Sequence, residues 1–313
     1  MDPLSDVLSL LKPRSYLSAG FDAGGAWSVQ FARHEGYIKC YAVVKGACWL
    51  AVEGMSDAVR LEAGDCFLLA SGRPFRLASD LTATPVDAEA IFSVALYGGV
   101  AVCNGGGDFF LVGSRFAVSG SQASILLGML PTIVHIRNES DQAALRWSVE
   151  RMMQELREPR PGGFLVAEHL AHMMLLLALR LHMTEGRVGW LFALGDKQIG
   201  AAISAIHDDP GHPWTLPELA KRAFMSRSTF ALKFKAMVGV SPMEYLTRWR
   251  MLLAGDRLAS TRDSVSLIAA SLGYESESAF STAFKRVMGC SPRRYSRRSS
   301  PTADANQPEA RAG

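Results

Sequence analysis

Residues 220–245 and 270–295 of this chain repeat one another fifty positions apart without a gap, and ten of the 26 paired positions are identical. The identities are Ala220/Ala270, Ser226/Ser276, Ser228/Ser278, Phe230/Phe280, Phe234/Phe284, Lys235/Lys285, Gly239/Gly289, Ser241/Ser291, Pro242/Pro292 and Tyr245/Tyr295, and Phe224 stands opposite Tyr274. Ordinary composition would supply about two matches. Aromatic, Gly and Pro positions kept at one offset indicate two copies of a single structural unit.

Each copy carries the punctuation of two short helices. Thr215 followed three residues later by Glu218 is a capping box, so a helix is expected over 216–223 with Leu219, Ala220 and Ala223 inward. Ser226 caps a second helix to about Val238, whose inward stripe is Phe230, Phe234 and Met237, and Gly239 closes it. The second copy predicts helices over 264–272 and 276–288. Ser241-Pro242 opens a helix to about residue 259, with Pro where its missing donor costs nothing. That helix is a strut of roughly 27 Å between the copies. A helix pair joined by a short turn is a helix-turn-helix, whose second helix can enter a major groove.

A helical pair built only for packing, or a protein-binding module, would show the same periodicity. Charge separates the readings. Residues 196–298 hold sixteen Lys and Arg against nine Asp and Glu, a net of +7, whereas residues 1–195 sum to −3. The basic excess lies in the repeat-bearing part, as phosphate binding requires.

The segments WTLPELAKRAFMSRSTFALKFKAMVGVSPMEYLTRWRM (214–251) and SVSLIAASLGYESESAFSTAFKRVMGCSPRRY (264–295) resemble the AraC/XylS family of bacterial transcription regulators. The resemblance implies double-stranded DNA as partner, with bases read from one face near the start of each recognition helix. That face falls on Arg227, Ser228, Ala231 and Leu232, and on Glu277, Ser278, Ser281 and Thr282. Many family members carry Arg at the positions of Leu232 and Thr282, where Arg makes the bidentate contact to guanine. Here Leu232 is placed to touch a thymine methyl, and Arg227 is the remaining guanine reader. Glu277 either accepts from a cytosine amino group or complements its helix's positive end. Lys235, Arg248, Arg250, Lys285, Arg286, Arg293 and Arg294 are the phosphate candidates. The phenylalanine stripe is read as core.

The first 135 residues are β-rich. Short apolar runs at 37–44, 48–52, 58–61 and 66–69, parted by Gly, Asp and Ser, suggest a small barrel or jelly roll. Gly64, Ala70, Gly72, Phe75 and Ser79 follow the spacing of the second cupin motif, with Phe75 at its metal-binding His. The N-terminal part therefore resembles a cupin without the metal chemistry, and no cofactor, metal or catalytic residue is assigned. By resemblance it senses a small molecule or a chemical stress. Tyr41, Trp49 and Phe75 are candidates to line its cavity. Cys40, Cys48, Cys66, Cys103 and Cys290 form no Cys-x-x-Cys pair, and the odd count suits a reducing cytoplasm. Cys103, beside Asn104 and three glycines, is the candidate for oxidation, against the plainer reading of small core residues.

Two helices, 140–158 and 163–184, follow. The second is apolar around much of its girth but broken by Glu168 and Arg180, which argues against a membrane span. It is expected to be covered by the barrel or by a second subunit of a homodimer. The expected class is α+β in two domains: a cupin-like barrel with trailing helices (1–184), a linker (185–195), an all-α domain with two helix-turn-helix motifs joined by a linker helix (196–298), and a disordered tail (299–313). The function expected is a cytoplasmic, sequence-specific regulator, an activator before a repressor, with RNA polymerase as a further expected contact. The competing readings are a cupin-fold enzyme and a ligand-independent architectural DNA binder.

Overall fold

The computed structural model describes residues 2–34, 36–93, 99–118, 123–128, 130–137, 143–158, 160–185 and 189–299. In chain order the elements are α1 (Pro3–Leu11), β1 (Arg14–Ala23), β2 (Ser28–Phe31), β3 (Tyr37–Lys45), β4 (Ala47–Val52), β5 (Val59–Glu62), β6 (Cys66–Leu69), β7 (Phe75–Ala78), β8 (Val86–Asp87), α2 (Ala88–Phe92), β9 (Val100–Cys103), β10 (Phe109–Ala117), α3 (Ala123–Leu127) and β11 (Ile133–Ile136). Helices α4 (Ala143–Arg157), α5 (Gly163–Glu185), α6 (Trp190–Gly195), α7 (Lys197–Asp208), α8 (Leu216–Arg222), α9 (Arg227–Val238), α10 (Pro242–Ser260), α11 (Val265–Ser271), α12 (Glu277–Met288) and α13 (Pro292–Ser299) complete the chain. The sequence's tail beyond 299 lies outside the described residues.

Contacts divide the chain into two compact units. One comprises Lys12–Ser119 and Ala123–Arg187; the other comprises Met1–Leu11, Gly120–Gln122 and Val188–Gly313. The first eleven residues, placed with the barrel on sequence grounds, thus group with the C-terminal unit. The reason is local: α1 buries Leu4, Val7, Leu8 and Leu11, and it packs on α7 and α10.

The β unit is a two-sheet barrel. Its sheets run β11-β6-β3-β10-β1-β9 and β5-β4-β7-β2-β8. Strand alternation sorts the side chains. Phe21, Val43, Phe67 and Leu111 from the first sheet meet Val29, Phe31, Leu50, Phe75 and Leu77 from the second in one core. On β3 the intervening residues Ile38, Cys40 and Ala42 are buried on the opposite face, where α4 and α5 pack. Cys40 and Cys66 share a hydrogen bond there, and this, with burial, drives the Cys40 thiol far above its ordinary pKa. By length and composition α5 could cross a membrane, yet Leu170, Ala171, Met174, Leu175, Ala178 and Leu179 are buried within the unit.

The helical unit follows its caps. Thr215 and Glu218 form the expected capping box. Ser226, Ser241, Ser264 and Ser276 each accept a backbone N–H at a helix start, and Gly239 and Gly289 end α9 and α12 at φ +87° and +74°. The gap-free repeat requires one correction. The first helices of the two copies are offset by 49 residues, not fifty: caps Thr215 and Ser264, buried Leu219 and Ile268, Ala220 and Ala269, Ala223 and Leu272. Ala270, identical to Ala220 at fifty, is exposed. The second turn is one residue longer, and the offset becomes fifty only at Ser226/Ser276. Phe224 consequently occupies the left-handed position that Gly273 fills in the second copy, at φ +52° against +75°. Residues 190–195 of the expected linker are helical, and Trp190 is buried.

Candidate nucleic-acid interface and interior cavity

Helices α9 and α12 are held from behind by aromatic packing. Phe230 meets Phe234 edge-on at 5.6 Å, and Phe234 meets Tyr245 of α10 at 5.8 Å. Phe280, Phe284 and Tyr295 of α13 repeat the stack at 5.7 and 5.4 Å. With those faces committed to the core, the opposite faces are open. Arg227, Ser228 and Leu232 are exposed and Ala231 half-buried; Glu277, Ser278 and Thr282 are exposed and Ser281 half-buried. Leu232 is 73% exposed, so its side chain takes no part in the core. Thr282 donates its hydroxyl to the Ser278 carbonyl at 2.9 Å, which leaves its oxygen as an acceptor. Glu277 stands 3.8 Å from Arg293, so an ion pair joins the two roles read for it from sequence.

The phosphate candidates divide. Lys235, Lys285, Arg286 and Arg294 are exposed. Arg248 is exposed but bonded to Glu244 at 2.6 Å, one helical turn away. Arg250 is a correction: it is 9% exposed and faces inward. Its Nε–H donates to the Pro210 carbonyl at 2.7 Å and its Nη2–H to the His212 carbonyl at 2.8 Å, with its guanidinium 5.6 Å from the Tyr274 ring. Burial lowers its pKa. It ties the loop before α8 to the turn of the second motif, so phosphate does not reach it. Sequence reading also passed over Lys233, which bonds Asp196 at 2.7 Å and anchors the start of α7 to α9.

In the barrel, Tyr41 and Phe75 face the interior while Trp49 does not. Trp49 alternates with the buried Cys48, Leu50 and Val52, and lies beneath Arg60 on the outer face at 5.2 Å. Phe75, at the cupin metal-ligand position, stacks flat on Phe31 with centroids 4.4 Å apart. Its phenyl ring is core. Tyr41 lines a cavity of about 430 Å³ together with Phe31, Lys39, Phe92, Leu111 and Arg115. Gly113, opposite Tyr41 in the β3–β10 ladder, keeps that space: a methyl group there would overlap the Tyr41 ring. Lys39 carries no signature in sequence, since only the strand's parity turns it inward. Cys103 is half-buried, and burial raises its pKa. That lowers the thiolate fraction on which oxidation depends.

Comparison with known proteins matches both units. A family model described as Cupin covers residues 2–184, and one described as Helix-turn-helix domain covers 219–298. An AraC-like transcription regulator of Streptomyces antibioticus is 45% identical over 281 residues, spanning 88% of this chain and 92% of the relative. Its counterpart in Streptomyces lividans is 44% identical over 281 residues, with the same coverage. The RCS-specific HTH-type transcriptional activator RclR of Escherichia coli K12 is 27% identical over 283 residues, covering 88% of this chain and 90% of that protein. Exposed recognition faces on capped helices, a basic C-terminal unit and identity sustained across both units lead to one conclusion: the chain belongs to the AraC-like family of DNA-binding transcription regulators, in the form that carries a cupin domain ahead of its helix-turn-helix region.

Proposed function

We propose that this protein is a sequence-specific activator that lays α9 and α12 into two successive major grooves on one face of the DNA, under the control of a signal received in the barrel. The observation that carries the reading is the paired design of the recognition helices. Each is Ser-capped, fixed from behind by two phenylalanines and open along its first two turns. Arg227 and Leu232 supply base readout in the first; Glu277, Ser278 and Thr282 supply it in the second. Lys235, Lys285, Arg286 and Arg294 hold phosphates. Activation as the sense of control rests on the similarity to RclR. A second copy of the chain is the proposed cover for α5, which exposes Phe164, Leu165, Val166 and Leu176. The site of action is the cytoplasm, with RNA polymerase as the downstream contact.

The test is a footprint of the purified protein across DNA upstream of its own gene and the neighbouring genes, followed by run-off transcription from any protected promoter. Two protected tracts about ten base pairs apart on one face, with raised transcript, are expected. Diffuse protection without sequence preference would instead identify an architectural binder.

A further inference from the structure

The two helix-turn-helix motifs share α10 and little else. Tyr245 of α10 packs on Phe234 of the first motif, while Met251, Ala254 and Leu258 join Ile268, Phe280 and Phe284 in the core of the second. Among the described residues, none of α7, α8 and α9 packs extensively on α11, α12 or α13. A single shared helix bends. With two readers one DNA turn apart, about 34 Å, a tilt of about 6° would carry one of them about 3.5 Å, the rise of one base-pair step. Holding both in register therefore requires a second point of attachment.

That attachment is a joint between the loop leading into α8 and the turn between α11 and α12. Gly211 lies against the Ser271 carbonyl, whose oxygen would stand 2.8 Å from an added methyl group. A methyl group on Gly273 would overlap the Gly211 carbonyl. The repeat supplies its own control. Phe224 holds the matching left-handed position of the first motif at φ +52° and is exposed, so that backbone by itself does not demand glycine. What excludes a side chain at 273 is the approach of the loop. Arg250 locks the joint from α10. Its Nε–H donates to the Pro210 carbonyl and its Nη2–H to that of His212, and the guanidinium bonds the Tyr274 hydroxyl beside a ring 5.6 Å away. The loop is itself braced: Asp209 Oδ1 accepts from the His212 N–H at 3.1 Å, and the Asp209 carbonyl accepts from Trp214 Nε1–H at 2.8 Å. One planar fork thus reaches from the strut to both motifs, a geometry that a lysine's point charge on a flexible stem does not reproduce.

Resting on the proposed two-groove reading, we infer that Arg250 and Tyr274 are positioning residues, which fix α12 relative to α9 and so set the spacing required between the two halves of the operator. The test uses the full-length protein and a duplex that it selects from a randomised pool, remade with the segment between the two protected tracts shortened or lengthened by one base pair. The wild type should lose about tenfold or more in affinity for either altered duplex, on the order of one mismatched base pair. Tyr274→Phe, which removes only the hydroxyl, and Arg250→Lys should narrow that loss to about threefold or less. Both should keep the wild-type base preferences within each half. Each ratio compares duplexes on one variant, so a lower folded fraction cancels, and circular dichroism checks that the helices are intact. If both variants keep the tenfold loss, the inference is overturned and the two-groove reading stands. A wild type indifferent to spacing, with its selected sequence confined to one tract, overturns both.

Discussion

His207 Nδ1 donates to Asp6 Oδ2 at 3.0 Å, joining the first helix of the chain to the helix that opens the DNA-binding region. The other ring nitrogen accepts from the Tyr245 hydroxyl at 2.8 Å, and Tyr245 in turn accepts from Trp190 Nε1–H at 2.8 Å. Trp249 stacks on the imidazole at 3.9 Å. This chain of donors runs in one direction only when His207 is neutral, and burial holds its pKa down to about 3.

Acid should therefore loosen the helical unit before most carboxylates titrate. Below pH 6.5 the unfolded chain takes a proton on His207 that the native state refuses until about pH 3. Stability is lost as pH falls through that window, by about 2–3 kcal/mol from this one group at pH 4.5. Denaturation followed by tryptophan fluorescence at pH 7 and 4.5 measures it. His207→Gln should flatten the pH dependence, and an unchanged slope would refute the role given to the ring.

Arg250 and Lys285 should fail in different ways. Arg250→Met removes the donor to the half-buried Pro210 carbonyl and one of the two donors to that of His212, and should cost about 1–3 kcal/mol of stability. The salt dependence of DNA binding by the folded fraction should not change. Lys285→Ala should leave stability alone, weaken all sequences alike and reduce the salt slope by about one. Binding isotherms at several salt concentrations, alongside denaturation curves, separate the two.

Base readout is predicted to concentrate on Arg227 and Leu232. Arg227→Ala should relax discrimination at one operator position, by about 1–3 kcal/mol. Leu232→Arg should shift preference from thymine to guanine at its own position. Selection from randomised operators reads both, and a uniform loss across sequences would move these residues to the phosphate group.

Phe224 sits at φ +52° and is 90% exposed in the first turn. Side chains with a Cβ rarely tolerate that backbone, so Phe224→Gly should raise stability by about 1 kcal/mol despite the greater freedom of glycine in the unfolded chain. A lower melting temperature would show that the exposed ring is held by something stronger than the strain.

Lys39→Met should stabilise the barrel at neutral pH. The lysine's pKa falls from 10.5 to about 8 on folding, which corresponds to a burial cost of up to about 3 kcal/mol. Because the unfolded state holds the proton between those values, the wild type should gain stability as pH rises from 8 towards 10.5. The variant should show no such rise in thermal unfolding.

Helix starts and stops were readable from the sequence because capping is local: a Ser or Thr and the N–H groups two or three residues on decide it. Hence Thr215, Ser226, Ser241 and Ser276 mark their helices, and the phenylalanine spacing shows which face of α9 and α12 is closed. The AraC-like family and the cupin domain were legible for the same reason, as patterns carried by short stretches. Where a decision depended on residues distant in the chain, tertiary structure made it. Identity at Ala270 concealed a one-residue slip that only the buried pair Ala220 and Ala269 reveals. Trp49 and Lys39 look alike as strand residues, and parity against the opposing sheet puts one outside and the other in the cavity. Arg250 reads as a surface cation until Pro210, His212 and Tyr274 close around it, and nothing near Asp6 announces His207. A helix satisfies its backbone hydrogen bonds within a few residues, but burial is a property of what arrives from elsewhere, so charge, exposure and partner were settled only when the chain packed.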